Sequence, residues 1–175
     1  MIIHVLGLGP SRIEYVPDGN KTIGCNDIWN YVKTNYVVCV DKPRCFDNEP
    51  ESMRAMMTGR QERFITHLLQ WKQIVNNYYQ IQLSDHRSDL SQLDTHVPYS
   101  NNSAFVACVM AYKFGAKKII THGVDFHGHH KLGQDRIIKH CVKDFKDLQV
   151  ALFERGVELR CSSRLSALAE SLGTI

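Results

Sequence analysis

The stretch Ser100-Asn-Asn-Ser-Ala-Phe-Val-Ala-Cys-Val-Met-Ala-Tyr-Lys-Phe-Gly115, followed at once by Ala-Lys-Lys-Ile-Ile-Thr-His-Gly-Val-Asp125-Phe126, decides the fold. Ala104, Ala107, Cys108, Ala111 and Phe114 recur at three-to-four-residue spacing and are mostly small, which predicts a helix lying close on a sheet. Gly115 ends that helix. Lys117 to Thr121 then reads as a short β-branched strand, delivering His122, Gly123 and Asp125 to its carboxyl end. Open α/β sheets hold their ligands at such ends.

Working outward, Ile2 to Leu6 is a strand that runs into Gly7-Leu-Gly-Pro-Ser11. A glycine loop lets backbone N–H groups approach a phosphate or a sugar, and Pro10 stiffens the turn. The dinucleotide fingerprint GxGxxG is absent, because Arg12 stands where the third glycine would be. Lys21 to Cys25 is a second strand ending in Asn26-Asp27, with a helical turn over Ile28 to Lys33. Asn35 to Val40 is a third strand, ending in Asp41. A solvated turn accounts for any one of these polar ends. Three in succession mark a binding edge.

Between Lys42 and Tyr99 the pattern predicts a short helix over Glu51 to Met57, a strand over Arg63 to Thr66, and an amphipathic helix over Leu68 to Val75 containing Trp71. Residues 76–98 read as a polar, mobile loop over the site, with Asp85, His86, Arg87 and Asp89 as solvated charges. His127, His129 and His130 lack cysteines at zinc-ligand spacing, so residues 127–138 read as a short polar lid that touches ligand rather than as a zinc centre. Lys139 to Arg155 is the strongest amphipathic helix, with Val142, Phe145, Leu148 and Leu152 on one face. Gly156, a strand over Val157 to Cys161, an N-cap at Ser162-Ser163 and a helix over Leu165 to Leu172 complete the chain. Alternating strands and helices predict one Rossmann-like, doubly wound, mainly parallel α/β domain over residues 1–175.

At 175 residues and 43% apolar composition, the chain can bury a proper core as one domain. A net charge of +3 with dispersed basic residues argues against a dedicated nucleic-acid partner. The six cysteines form no CxxC pair, and several sit inside apolar runs, which points to a reducing compartment. No run approaches the ~18 apolar residues of a membrane span, and Met1-Ile-Ile-His-Val-Leu-Gly7 is no secretory signal, so a cytoplasmic protein is expected.

The pieces in this order resemble the bacterial lipooligosaccharide sialyltransferases, within a wider Rossmann-like group that includes archaeal 6-hydroxymethylpterin pyrophosphokinases. The resemblance rests on Gly7-Leu-Gly-Pro-Ser11, on Gly24-Cys-Asn26, on Ser103 through Phe126 with its FG-x-KKI-x(3)-GVDF ending, and on His140 followed by a helix, Cys161 and a leucine-rich terminal segment. It implies that a CMP-activated sugar lies against Gly7, Gly9 and Ser11, with Asn26, Asp41, Asn102, Ser103 and Asp125 completing a nucleotide-binding set. His140 takes the general-base position, removing a proton from an acceptor hydroxyl. His127 stands where the family carries a tyrosine that assists the leaving phosphate, and Leu8 stands where it has an asparagine. This reading needs no cofactor; its partners are the nucleotide-sugar and a hydroxyl acceptor, and a homo-oligomer is the usual assembly for small α/β enzymes. Two alternatives stay open. In one, Asp41 and Asp125 hold Mg²⁺ against a triphosphate for diphosphate transfer. In the other, the protein binds a nucleotide or nucleotide-sugar without turning it over.

Overall fold

Side-chain alternation along the strands sorts the apolar residues onto two faces of one sheet. Ile3, Val5, Ile23, Val38 and Ile65 belong to one buried cluster, whereas Leu6, Val37, Cys39 and Phe64 belong to another. The computed structural model describes residues 1–46, 62–87, 89–126 and 135–175, without the side chains of 86, 87 and 135–137. The strands are β1 (Ile2–Leu6), β2 (Lys21–Cys25), β3 (Tyr36–Val38), β4 (Arg63–Thr66), β5 (Tyr78–Gln80), β6 (Leu83–Arg87), β7 (Val97–Tyr99), β8 (Lys118–His122) and β9 (Glu158–Cys161). The α-helices among the described residues are α1 (Ser103–Lys113), α2 (Asp135–Phe153) and α3 (Ala169–Leu172).

Seven strands form a wholly parallel sheet in the order β5-β4-β3-β2-β1-β8-β9, and β6 pairs with β7 separately. The order reverses between β1 and β8. This is the topological switch point, where the loops leaving neighbouring strands part and open a crevice.

The expected doubly wound α/β architecture is present, with unequal coverings. On one face lies α1, buried from Ser103 to Ala111. Its small residues let it sit close to the strands, while Phe105 meets Phe145 of α2 edge-on at 6.0 Å between ring centroids. Phe145, Leu148 and Leu152 are fully buried, so the apolar stripe expected on α2 does face the core. The opposite face is covered by 3₁₀ turns at Asn26–Asn30 and Leu69–Gln73, which supply Ile28, Trp29 and the fully buried Trp71.

Several expected elements differ. Residues 76–98 are not one loop: β5 extends the main sheet, while β6 and β7 pair beside it. Leu93 is fully buried there, and Asp94 accepts hydrogen bonds from Tyr112 of α1 and from Arg155. Each of these strands is short, and β5 is largely exposed, so no apolar alternation announces them. The segment Leu68 to Val75 is a 3₁₀ turn rather than an amphipathic helix. Only Ala169–Leu172 of the closing segment is α-helical, with Leu168 rather than a serine at its N-cap. Helix α2 already runs from Asp135, taking residues 135–138 out of the expected lid. The helix expected over residues 51–57 and the histidines 127, 129 and 130 lie outside the described residues. No helix among the described residues is long and apolar enough to cross a membrane.

Candidate active site

The loop after β1 and the loop after β8 interlock at the switch point. The Gly7 N–H donates to the His122 carbonyl and the Gly9 N–H to the Gly123 carbonyl, both at 2.7 Å. A Cβ at Gly7 would collide with the Gly123 carbonyl, and one at Gly9 with the Asp125 carboxylate. Glycine is therefore required by the approach of two backbones. These two N–H groups are spent on protein carbonyls, which corrects the expectation that they address a phosphate.

Ser11 completes the interlock. Its N–H donates to Asp125 Oδ2 at 2.8 Å, its hydroxyl donates to Oδ1, and that hydroxyl accepts from the Gly123 N–H at 2.9 Å. Asp125 is 3% exposed, and Ser11 donates to both of its oxygens. Ser11 is equally buried and stands behind the crevice wall, so it holds Asp125 rather than reaching a ligand directly.

Across the crevice, β2 and β3 are tied to the start of α1. The Ser103 hydroxyl donates to Asn26 Oδ1 and accepts from the Val40 N–H at 3.1 Å. Asn102 is the N-cap of α1, its Oδ1 accepting from the N–H groups of Ala104 and Phe105 at 3.0 and 3.2 Å. Its Nδ2 reaches Cys141 Sγ on α2 at 3.7 Å. Asn26, its Oδ1 engaged by Ser103, is itself one of the residues that line the crevice.

These walls enclose a cleft of about 390 Å³, within the size range of small-molecule sites. Gly7, Gly9, Asn26, Asp41, Asn102, Ser103 and Asp125 of the expected set all line it. Phe126, Cys141 and Asp144 line it as well, and the sequence reading did not single them out for the site. The two non-glycine residues with left-handed backbone among those described, Asn26 at φ 52° and Phe126 at φ 58°, both line this cleft. Such conformations cost energy and cluster where a ligand is gripped. The described lining carries three carboxylates and no lysine or arginine. The positive pole supplied by the lining is the N-terminus of α1, which favours an anion.

His140 lies exposed on α2. It precedes the cleft-lining Cys141 and stands one helical turn before Asp144, so it shares a helix face with a residue of the wall. His127 lies outside the described residues. Asp41 and Asp125 belong to loops separated by β2 and β1, and Asp125 is engaged by Ser11. Among the described residues no group of three or more His, Cys, Asp or Glu is gathered closely enough to hold a metal ion.

Beneath the interlocked loops lies a buried histidine pair. His4 Nδ1 and His122 Nε2 are 2.9 Å apart, and His4 Nε2 is 3.1 Å from Asp18 Oδ2. A carboxylate only accepts, so His4 donates from Nε2; in the neutral pair its Nδ1 accepts from His122 Nε2–H. Among the described residues, the buried His122 Nδ1 has no partner. Tyr15 packs on both rings at 5.3 and 5.1 Å. Burial first, and the His4 charge second, push the His122 imidazole down to about 4.

No family model matches the chain, and no curated protein matches it. Solved structures do match in fold. The Campylobacter jejuni sialyltransferase CstII in complex with CMP-3FNeuAc aligns at a TM-score of 0.62 with 16% identity, over 99% of this chain and 84% of the other. CstII with a trisaccharide acceptor and CMP aligns at 0.61 with 15% identity, over 99% and 86%. An α-2,3-sialyltransferase from the same organism, in its apo form, aligns at 0.59 with 15% identity, over 99% and 79%. Along nearly its whole length, the chain shares the fold of these Campylobacter sialyltransferases.

Proposed function

We propose that the protein is a glycosyltransferase of the sialyltransferase type, moving a sugar from a cytidine-monophosphate donor to an acceptor hydroxyl. The observation that carries this reading is the cleft at the β1/β8 switch point. It is bounded by the glycine loop, the Asn26 carboxamide and the N-terminus of α1, in a fold whose solved neighbours include complexes with CMP and with a CMP-sugar analogue. The phosphate belongs at the start of α1, where the helix dipole favours negative charge. The nucleoside lies along Asn26 and Asp41, at the ends of β2 and β3.

In the reaction the acceptor oxygen bonds to the anomeric carbon as the bond from that carbon to the phosphate oxygen breaks. CMP leaves with the electron pair, and the acceptor proton passes to His140. A histidine suits that step because its neutral ring is available near pH 7. His127 belongs to the departure of the phosphate, as a donor to its oxygen. Asp144, one turn from His140, places a carboxylate that stabilises the imidazolium formed when the proton is taken.

Calorimetric titration with CMP in EDTA, followed by turnover of CMP-sialic acid, tests the reading. CMP binds without metal, and His140→Ala lowers kcat by about 10²–10⁴ while leaving CMP affinity intact. Unchanged turnover removes His140 from the base role. Binding confined to a triphosphate with Mg²⁺ replaces glycosyl transfer with diphosphate transfer, and tight CMP binding with no turnover under any acceptor leaves a binding protein.

A further inference from the structure

The wall of the cleft that follows β3 is anchored from both layers of the fold. On the α1 side, the Val40 N–H donates to the Ser103 hydroxyl at 3.1 Å. On the other side, the Trp71 indole N–H donates to the Asp41 carbonyl at 2.9 Å, and the Cys39 thiol lies 3.5 Å from the same oxygen. We propose that Trp71 is a positioning residue of the donor cleft that acts through Asp41: its indole fixes the Asp41 backbone and so the place of the Asp41 carboxylate against the nucleotide. The inference rests on the function proposed above for this cleft.

The anchor is rigid. Trp71 is fully buried, with the rings of Phe64, Phe46 and Trp29 packed around it at 4.6, 5.7 and 6.2 Å between centroids. A ring enclosed in this way cannot turn without opening a void. An indole N–H taken out of water needs an acceptor, and the Asp41 carbonyl is the one it has. The packing of an apolar cluster is thereby converted into the direction of a single carbonyl.

That direction reaches the cleft through covalent geometry. Peptide units are planar, so Ser103 holds the plane that precedes Val40 and Trp71 holds the plane that follows Asp41. Two residues held at both ends have little freedom left, and the Cα–Cβ direction of Asp41 is set with them. Asp41 lines the cleft, whereas Trp71 stands behind its wall and touches a ligand only by way of Asp41.

A double-substitution cycle on the full-length protein, read by CMP titration, tests this. Trp71→Phe keeps an aromatic ring in the cluster and removes the donor; Asp41→Ala removes the carboxylate and keeps the carbonyl. Trp71→Phe weakens CMP binding about fivefold in the unsubstituted chain and leaves it unchanged in the Asp41→Ala chain, with the same shift of melting temperature in both. An equal loss of affinity in both chains, or none in either, reduces Trp71 to core packing and overturns the inference. Coupling is reciprocal, so CMP also slows exchange of the Trp71 indole proton in the unsubstituted protein but not in Asp41→Ala, a reading that needs no change at Trp71. Exchange that bound CMP leaves unaltered overturns the inference as well. A third reading needs no ligand: in Trp71→Phe the NMR order parameters of the Asp41 and Lys42 amides fall from the rigid value of about 0.85. Unchanged order there overturns the inference whatever CMP does. Lowered order in a protein that ignores CMP keeps Trp71 as the anchor of this wall and sinks the donor reading instead.

Discussion

Ser11 and Asp125, 114 positions apart in the chain, are joined twice, through the Ser11 backbone N–H and through its hydroxyl. The same hydroxyl receives the Gly123 N–H, so one serine side chain closes the β1 loop onto the β8 loop. Ser11→Ala leaves a buried carboxylate oxygen and a backbone N–H without partners, which costs about 1–3 kcal/mol for each unsatisfied group. Chemical denaturation should show at least that loss, with Ser11→Thr recovering part of it. Unchanged stability in Ser11→Ala would mean that water replaces the hydroxyl at no cost.

Acid should weaken the fold through His122. A base that is harder to protonate when folded makes the unfolded chain the better proton acceptor. Stability therefore rises with pH from about 4 to 6.5 and is fully present above 6.5. The span corresponds to roughly 3 kcal/mol at most. Denaturation midpoints taken across that window should fall as pH is lowered, and His122→Gln should flatten the slope. A slope that survives the substitution would assign the acid sensitivity elsewhere.

Asn26 combines a left-handed backbone with a carboxamide that faces the cleft. Asn26→Gly accepts that backbone without strain, whereas Asn26→Ala costs about 1–2 kcal/mol in it. The glycine variant still deprives the buried Ser103 hydroxyl of its acceptor, so we expect it to lose about 1–3 kcal/mol of stability, less than the alanine variant, and to bind CMP about tenfold more weakly, from the loss of one or two hydrogen bonds. If CMP affinity stays unchanged, Asn26 serves only to anchor Ser103.

Metal dependence separates the readings of Asp41. Under glycosyl transfer, EDTA leaves turnover intact and Asp41→Asn lowers it by no more than about tenfold, the worth of one hydrogen bond to a ligand. Loss of activity in both treatments, restored by Mg²⁺ only in the unsubstituted protein, would make Asp41 a metal ligand.

Much of the fold was legible because long-range packing left local marks. The small-residue period of α1, the β-branched strands and the stripe through Phe145 and Leu152 all state their partners in sequence. Phe145→Ala should accordingly cost about 3–5 kcal/mol, as for other buried aromatic truncations. The edge strands β5, β6 and β7 were not legible, because pairing at an exposed edge needs no alternation of apolar residues. In the site, seven of the eight expected binding residues reach the cleft, since each lies just beyond a strand's carboxyl end or at the start of α1. The bonds of Ser11 to Asp125 were not legible: a hydroxyl after a glycine loop serves a buried carboxylate as readily as a phosphate, and only the fold brings that carboxylate to it. Asp144 and Cys141 were hidden by their helix. For Asp144 the signal was its spacing of four residues from His140, which sets the two on one helix face; Cys141, next to His140 in sequence, carried no such signal.

The glycine contacts between the two loops carry a consequence for how this protein can vary. Residues 7–11 and 123–125 fit each other atom against atom, so neither can drift alone: a side chain gained at position 9 would meet both the Asp125 carboxylate and the Gly123 backbone carbonyl, and the whole facing loop must move to admit it. Across natural variants the two short segments should change as a pair. A designer seeking a different donor should exchange them as one cassette and leave the walls at Asn26 and Asn102 to set preference.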